Sequence, residues 1–175
     1  FFDISFEERQ DVTLDEYITM ASGKTAAMFA APLAIGAIVA GASEATVEAF
    51  RTAGRHIGLG FQMVDDVLGI WGDPAVTGKP VGDDIRSRKM TYPVISALER
   101  DPSGLKSLYA TPFSGEKEIE AISRLIEQGG GREVTEQRAR EERDRALAVI
   151  EDSGIAGEGL EHLHAYASVA IGRVS

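Results

Sequence analysis

The sequence contains no cysteine, which removes disulfide frameworks, thiolate zinc sites and cysteine nucleophiles and fits a reducing compartment, with the cytoplasm as the default. Positive charge is scarce as well: 18 Lys and Arg against 28 Asp and Glu leave a formal net charge of -10 over 175 residues. A face that neutralises phosphates along a duplex needs the opposite balance, so no nucleic-acid partner is expected and only isolated basic pockets remain. Long uncharged apolar runs are missing. The most apolar stretch, Ala26 to Ala42, is about 17 residues of mostly Ala and Gly interrupted by Pro32, short and weakly hydrophobic for a membrane span, and it reads as a buried helix. Nowhere does strict alternation combine with β-branched residues over strand length, and neither an internal repeat nor a low-complexity linker is present. With 43% hydrophobic residues there is material for one core, so residues 1–175 read as a single all-α domain. The chain opens on Phe1-Phe2-Asp3 without a Met or a helix cap, as though inside an element, which points to the C-terminal part of something longer.

What is present is helical periodicity. Phe1 to Glu8 has the look of a helix end. Thr13-Leu14-Asp15-Glu16 has the form of a capping box, so a helix is expected from Leu14 through Tyr17, Met20 and Lys24, with a bend or stop near Pro32 and an end near Gly41. The next helix begins after Ser43, and its apolar positions Val47, Phe50, Gly54, Ile57, Phe61, Val64, Leu68 and Trp71 recur at three- and four-residue steps. Gly72-Asp73-Pro74 ends it. A loop through Gly78, Pro80 and Gly82 leads to a helix containing Tyr92 to Leu98, where Pro93 is tolerable only near the start. Three further helices are expected at about Glu116–Gln128, Arg132–Ser153 and Gly157–Arg173. The second of these carries many charges around a narrow apolar stripe and reads as a solvated outer helix.

The chemistry concentrates in Gly60-Phe61-Gln62-Met63-Val64-Asp65-Asp66-Val67-Leu68-Gly69, where two adjacent carboxylates interrupt an apolar helix. Such carboxylates cost free energy unless something positive neutralises them, and a basic tract follows, with Lys79 and then Arg86, Arg88 and Lys89. At 100° per residue, Gln62 lies about 40° from Asp66 and about 60° from Asp65 on its other side, so all three can face one cavity. Magnesium needs only one or two carboxylates when a substrate supplies phosphate oxygens, and Lys79 and Lys89 could meet those oxygens as point charges. The plain alternative is an acidic helix end beside a solvated loop.

Phe61-Gln62-x-x-Asp65-Asp66, then Gly72 to Gly82 with Gly78-Lys79-Pro80, then Asp84 and Lys89-x-Thr91-x-Pro93 resembles the second aspartate-rich region of the trans-isoprenyl diphosphate synthases, or polyprenyl synthetases. Lys24-Thr25 and Asp3 before Phe6-Glu7 extend the resemblance over roughly the first hundred residues. It implies the C-terminal portion of an isoprenoid-synthase-type helical bundle and a magnesium-dependent prenyltransferase that condenses isopentenyl diphosphate with an allylic prenyl diphosphate. It also implies a cytoplasmic homodimer. Under it, Asp65 ligates magnesium and Asp66 ligates or holds ligand waters. Lys24 and Lys79 bind the diphosphate with Lys89 nearby, Thr25 and Gln62 face the developing carbocation, and Asp3 and Asp84 belong to the metal or lysine shell.

Two departures stand out. Gly69 occupies the place of the motif's third aspartate, and the first motif, DDxxD, is nowhere in these residues, so the polypeptide alone should be incomplete for condensation. Competing readings are a non-catalytic helical partner subunit of a prenyl synthase and a class I terpene cyclase. For the cyclase, Asp83, Ser87 and Thr91 have the spacing of a metal motif, but Thr91 cannot replace its final carboxylate. Gly72 to Lys79 is no P-loop, since Pro80 stands where Ser or Thr is required. His56, His162 and His164 lack zinc-ligand spacing and are expected in packing or on the surface. Phe29, Phe50 and Trp71 are expected in the core, Phe29 close enough to the Lys24 turn to touch a prenyl chain.

Overall fold

Thr13 opens the first helix with reciprocal bonds: its backbone N–H donates to Glu16 Oε2 at 3.0 Å, and the Glu16 N–H donates to Thr13 Oγ1 at 3.2 Å. The computed structural model describes residues 6, 9, 11–101, 104–111, 113 and 115–172. The helix end expected over Phe1 to Glu8 falls outside those residues apart from Phe6, which is buried.

Helix α1 is Leu14–Ala21, and a π-helical turn, Ser22–Ala26, joins it to α2, Ala27–Val39. The stop expected near Pro32 does not occur, because Pro32 lies inside α2. Pro32 removes a backbone donor from the helix. Pro32 and Met28, four residues earlier, are both exposed, so water can take up the carbonyl that loses its partner. By length and composition alone the segment Leu14–Val39 could cross a membrane, and 22% of its apolar window is buried; the helix expected to be buried over Ala26 to Ala42 instead buries Ala26, Ala30, Ala34 and Ala37 and exposes Met28, Ile35, Ile38 and Val39.

After Ser43, whose hydroxyl accepts the Thr46 N–H at 3.2 Å, α3 runs over 28 residues, Glu44–Trp71. Phe50, Ile57 and Val64 are buried as the apolar stripe expects, whereas Val47, Phe61, Leu68 and Trp71 are only half-buried, and Ala53, Met63, Val67 and Ile70 are buried instead. A helix covered on more than one side shows no single stripe. The stretch expected as a loop contains two single-turn helices, α4 (Pro74–Thr77) and α5 (Asp83–Arg86). Helix α6 is Tyr92–Arg100 with Pro93 in its first turn, and α7, Leu105–Ala110, was not expected. Helices α8 (Glu116–Gln128), α9 (Gly131–Asp152) and α10 (Glu158–Ile171) lie within about two residues of their expected bounds. The fold is all-α, with no strand among the described residues.

The chain divides into two helical units. The first comprises residues 1–20 and 65–137. In it α8 packs on α5, α6 and α7 and buries Ile119, Ile122 and Ile126, a spacing of three and four residues that keeps one face inward. Helix α6 is buried from Tyr92 to Leu98.

The second unit comprises residues 21–64 and 138–175. Here α2 and α3 approach closely: a Cβ on Gly54 would stand 2.6 Å from the Ala30 Cα. The expectation that α9 is a plain solvated helix needs correction, because Glu142 is 1% exposed within its buried stripe of Ala139, Ala146 and Ile150. Its carboxylate lies 2.6 Å from His56 Nδ1 and accepts from Arg138 at 2.7 Å and Arg145 at 2.9 Å. Burial pushes the Glu142 carboxyl up, but the bond to His56 and the charges of Arg138 and Arg145 outweigh it and leave the group below its ordinary value. A depressed carboxyl stabilises the fold above the unfolded-state pKa of about 4.5 and stops doing so as pH falls through the folded value. Thermal melts between about pH 3 and pH 7 should therefore show Glu142→Gln losing Tm near neutrality, with a shallower acid decline than the parent. Parallel curves for the two proteins would contradict this.

Candidate functional site

Asp65 and Asp66 are adjacent on α3, so their side chains leave the helix about 100° apart. The surroundings separate them completely: Asp65 is exposed, whereas Asp66 is 3% exposed. Asp66 Oδ2 accepts the Tyr17 hydroxyl at 2.7 Å and the Tyr92 N–H at 3.0 Å. Tyr92 begins α6, so the carboxylate also lies at the amide-rich end of that helix. Burial pushes the Tyr17 phenol well above its usual range, and the Asp66 charge and hydrogen bond push the same way. Tyr17 thus remains a donor. Its ring meets that of Tyr92 edge-on, with centroids 5.4 Å apart.

One turn beyond the pair is Gly69. An added Cβ there would fall 2.0 Å from Asp84 Oδ2 and 2.5 Å from its Cγ, so the Asp84 carboxylate from α5 fills the space that a side chain at position 69 would take. Asp84 is buried and accepts from Lys89 Nζ at 2.6 Å. Desolvation would lower the Lys89 pKa, but the Asp84 hydrogen bond, with the charges of Asp84, Asp83 and Asp65, raises it on balance. Lys89 therefore stays cationic within the field of Asp65. Its segment is held in place: the Tyr109 hydroxyl donates to the Lys89 carbonyl at 3.0 Å, and Arg88 donates to the Tyr109 and Thr111 carbonyls at 2.6 and 2.8 Å.

The segment between has a local logic. Asp73 caps α4 by accepting the Ala75 N–H at 2.8 Å, Pro74 occupies the first turn and Gly78 ends it. Lys79 follows at once and is exposed.

In the second unit, Lys24 and Thr25 lie on the π turn between α1 and α2, a distortion that recurs at functional sites. The Thr25 hydroxyl donates to Gln62 Oε1 at 2.6 Å, which brings together two residues 37 apart in sequence. Phe29 is half-buried and stacks obliquely on Phe61, centroids 5.1 Å apart.

Of the expected site residues, the structure thus joins Asp84 with Lys89 and Thr25 with Gln62. It turns Asp65 outward and Asp66 inward, and Asp3 lies outside the described residues. Among the described residues no group of three or more His, Asp or Glu is arranged to hold a metal. A lone outward carboxylate suits a cation that takes most of its ligands from water and phosphate oxygens. Tyr17 and Tyr92 were missed as site residues. The only signal available was the general one that a buried acid must find donors.

The sequence matches the family described as polyprenyl synthetase over residues 1–126. The chain belongs to that family. Over 160 residues it is 44% identical to a (2E,6E)-farnesyl diphosphate synthase of Mycobacterium tuberculosis, an alignment covering 87% of this chain and 45% of that protein. A polyprenyl synthetase from Streptomyces coelicolor superposes with a TM-score of 0.88 at 36% identity, over 97% of this chain and 53% of the other. A geranylgeranyl pyrophosphate synthase from Corynebacterium glutamicum, crystallised with isoprenyl diphosphate and magnesium, does so at 0.91 and 34% identity, over 98% and 50%. The chain therefore spans about half the length of these polyprenyl synthetase relatives.

Proposed function

We propose that the protein is a prenyltransferase that joins isopentenyl diphosphate to an allylic prenyl diphosphate with magnesium. The observation that carries this reading is the outward Asp65 beside a retained Lys89 cation in a chain of this family. Magnesium held by Asp65 would supply neutralising charge to the diphosphate. Lys24 and Lys79, both exposed, and Lys89 would bind its oxygens as point charges aimed at the charge that develops there. The allylic carbon–oxygen bond breaks and diphosphate leaves. The oxygens of Thr25 and Gln62 would face the resulting carbocation, the isopentenyl double bond attacks it to form the new carbon–carbon bond, and the departing diphosphate takes up the proton that this releases. Asp84 would hold Lys89 in place.

Because the first aspartate-rich motif is absent from these residues, the proposal concerns the protein at full length, read as a cytoplasmic homodimer. The test is incubation of that protein with isopentenyl diphosphate, an allylic diphosphate and magnesium. The expected result is a longer prenyl diphosphate and pyrophosphate in equal amounts, abolished by EDTA. A hydrocarbon made from the allylic diphosphate alone would favour the cyclase, and no turnover at all would favour the partner subunit.

A further inference from the structure

We propose that Asp66 is a positioning residue and not a magnesium ligand: with the Tyr17 hydroxyl and the Tyr92 amide it forms a clamp that fixes the rotation of α3 and so turns Asp65 outward. The inference of what Asp65 then does rests on the prenyl-transfer reading.

The clamp lies wholly within the first unit. The Tyr17 and Tyr92 donors come from different helices, α1 and α6, and lie 49 and 26 residues from Asp66 in sequence. Both converge on one oxygen, Oδ2, of a side chain that is 3% exposed. Tyr17 is 1% exposed and Tyr92 is 8% exposed, so neither donor could turn to water if the acceptor left. Rotating α3 enough to present Asp66 to a substrate would take this acceptor away from two buried donors, and this opposes the rotation. The edge-on Tyr17–Tyr92 contact makes the two donors one packed body. Asp65, the neighbour in sequence, is exposed because Asp66 is held. Two adjacent acids therefore divide the work: one anchors the helix and the other faces outward.

Both donors are neutral N–H or O–H groups, and an amide oxygen accepts them as a carboxylate oxygen does. The decisive comparison in the full-length protein is Asp66→Asn against Asp66→Ala and Asp65→Asn. It is read by turnover, by Tm without metal, and by the rise in Tm on adding magnesium pyrophosphate. Asp66→Asn is expected to keep turnover within about threefold and to keep the magnesium-pyrophosphate rise, whereas Asp66→Ala should lose about tenfold in turnover and lower the metal-free Tm. Asp65→Asn should keep the metal-free Tm and lose the rise. If Asp66→Asn loses the rise as Asp65→Asn does, Asp66 is a ligand and the clamp is overturned; Asp66→Ala with parental Tm and turnover overturns it too. An unaffected Asp65→Asn defeats the prenyl-transfer reading but not the clamp, since the metal-free Tm of the Asp66 variants is independent of that reading. Should Asp66→Asn fail to fold, Tyr17→Phe takes its place: a lower metal-free Tm together with reduced turnover supports the clamp, and parental values of both overturn it.

Discussion

Asp65→Asn in the full-length protein is expected to reduce turnover on the order of a hundredfold or more, because it removes the charge to which we assign transition-state stabilisation and replaces it with a neutral group of the same shape. The site geometry makes this substitution easy to interpret. Asp65 is exposed, so an amide there leaves no buried acceptor without a donor, and Tm in the absence of metal should change little. The charge of Asp65 is also among the influences that raise the Lys89 pKa, so the variant weakens two elements of the same site. Steady-state kinetics at several magnesium concentrations would check it. Parental turnover with a parental magnesium requirement would reject the role assigned to Asp65.

Gly69→Asp is the second large effect, and its direction runs against the family pattern. The substitution supplies the third aspartate that the motif usually carries, yet it is expected to damage the protein. A Cβ at position 69 would stand 2.0 Å from Asp84 Oδ2, far inside contact distance, and Asp84 has little room to move because it is buried and paired with Lys89. Overpacking of this kind costs about 1–3 kcal/mol, and a second carboxylate forced against Asp84 adds like-charge repulsion. Turnover should fall along with Tm, since the Lys89 that we assign to the diphosphate leans on Asp84. The reciprocal change tests the explanation: Gly69→Asp with Asp84→Gly moves the carboxylate from one element to the other and should recover part of what either single change loses. A double-mutant cycle of Tm and turnover measures that coupling. Additive losses, or a Gly69→Asp protein with parental Tm, would show that the two positions do not compete for one space.

Much of the fold was legible from local chemistry. The capping box at Thr13, the cap at Ser43 and the bounds of α3, α8, α9 and α10 follow from periodicity and end signals that act within a few residues. Elements of one turn were not legible. Helices α4 and α5 have four residues each and α7 has six, too few for an apolar repeat to show. The π turn at Ser22–Ala26 has no signature of its own, since an extra residue per turn is a matter of hydrogen-bond register. A bend or stop near Pro32 is what a proline inside a helix predicts, and its exposure lets water take the carbonyl that loses its donor, so the helix continues to Val39.

The site divides in the same way. Periodicity by itself determined the all-α class, and the motif around Asp65 and Lys79 carried the resemblance to the family and named the candidate site residues, because a carboxylate pair in an apolar helix followed by a lysine-bearing loop is a local pattern. Only the tertiary structure decided which acid of the pair is available, that Asp84 takes the space beside Gly69, and that Thr25 meets Gln62. Each of these depends on groups far apart in the chain arriving within hydrogen-bond or contact distance. A rotation of 100° between neighbours on a helix is invisible until the helices around it are in place.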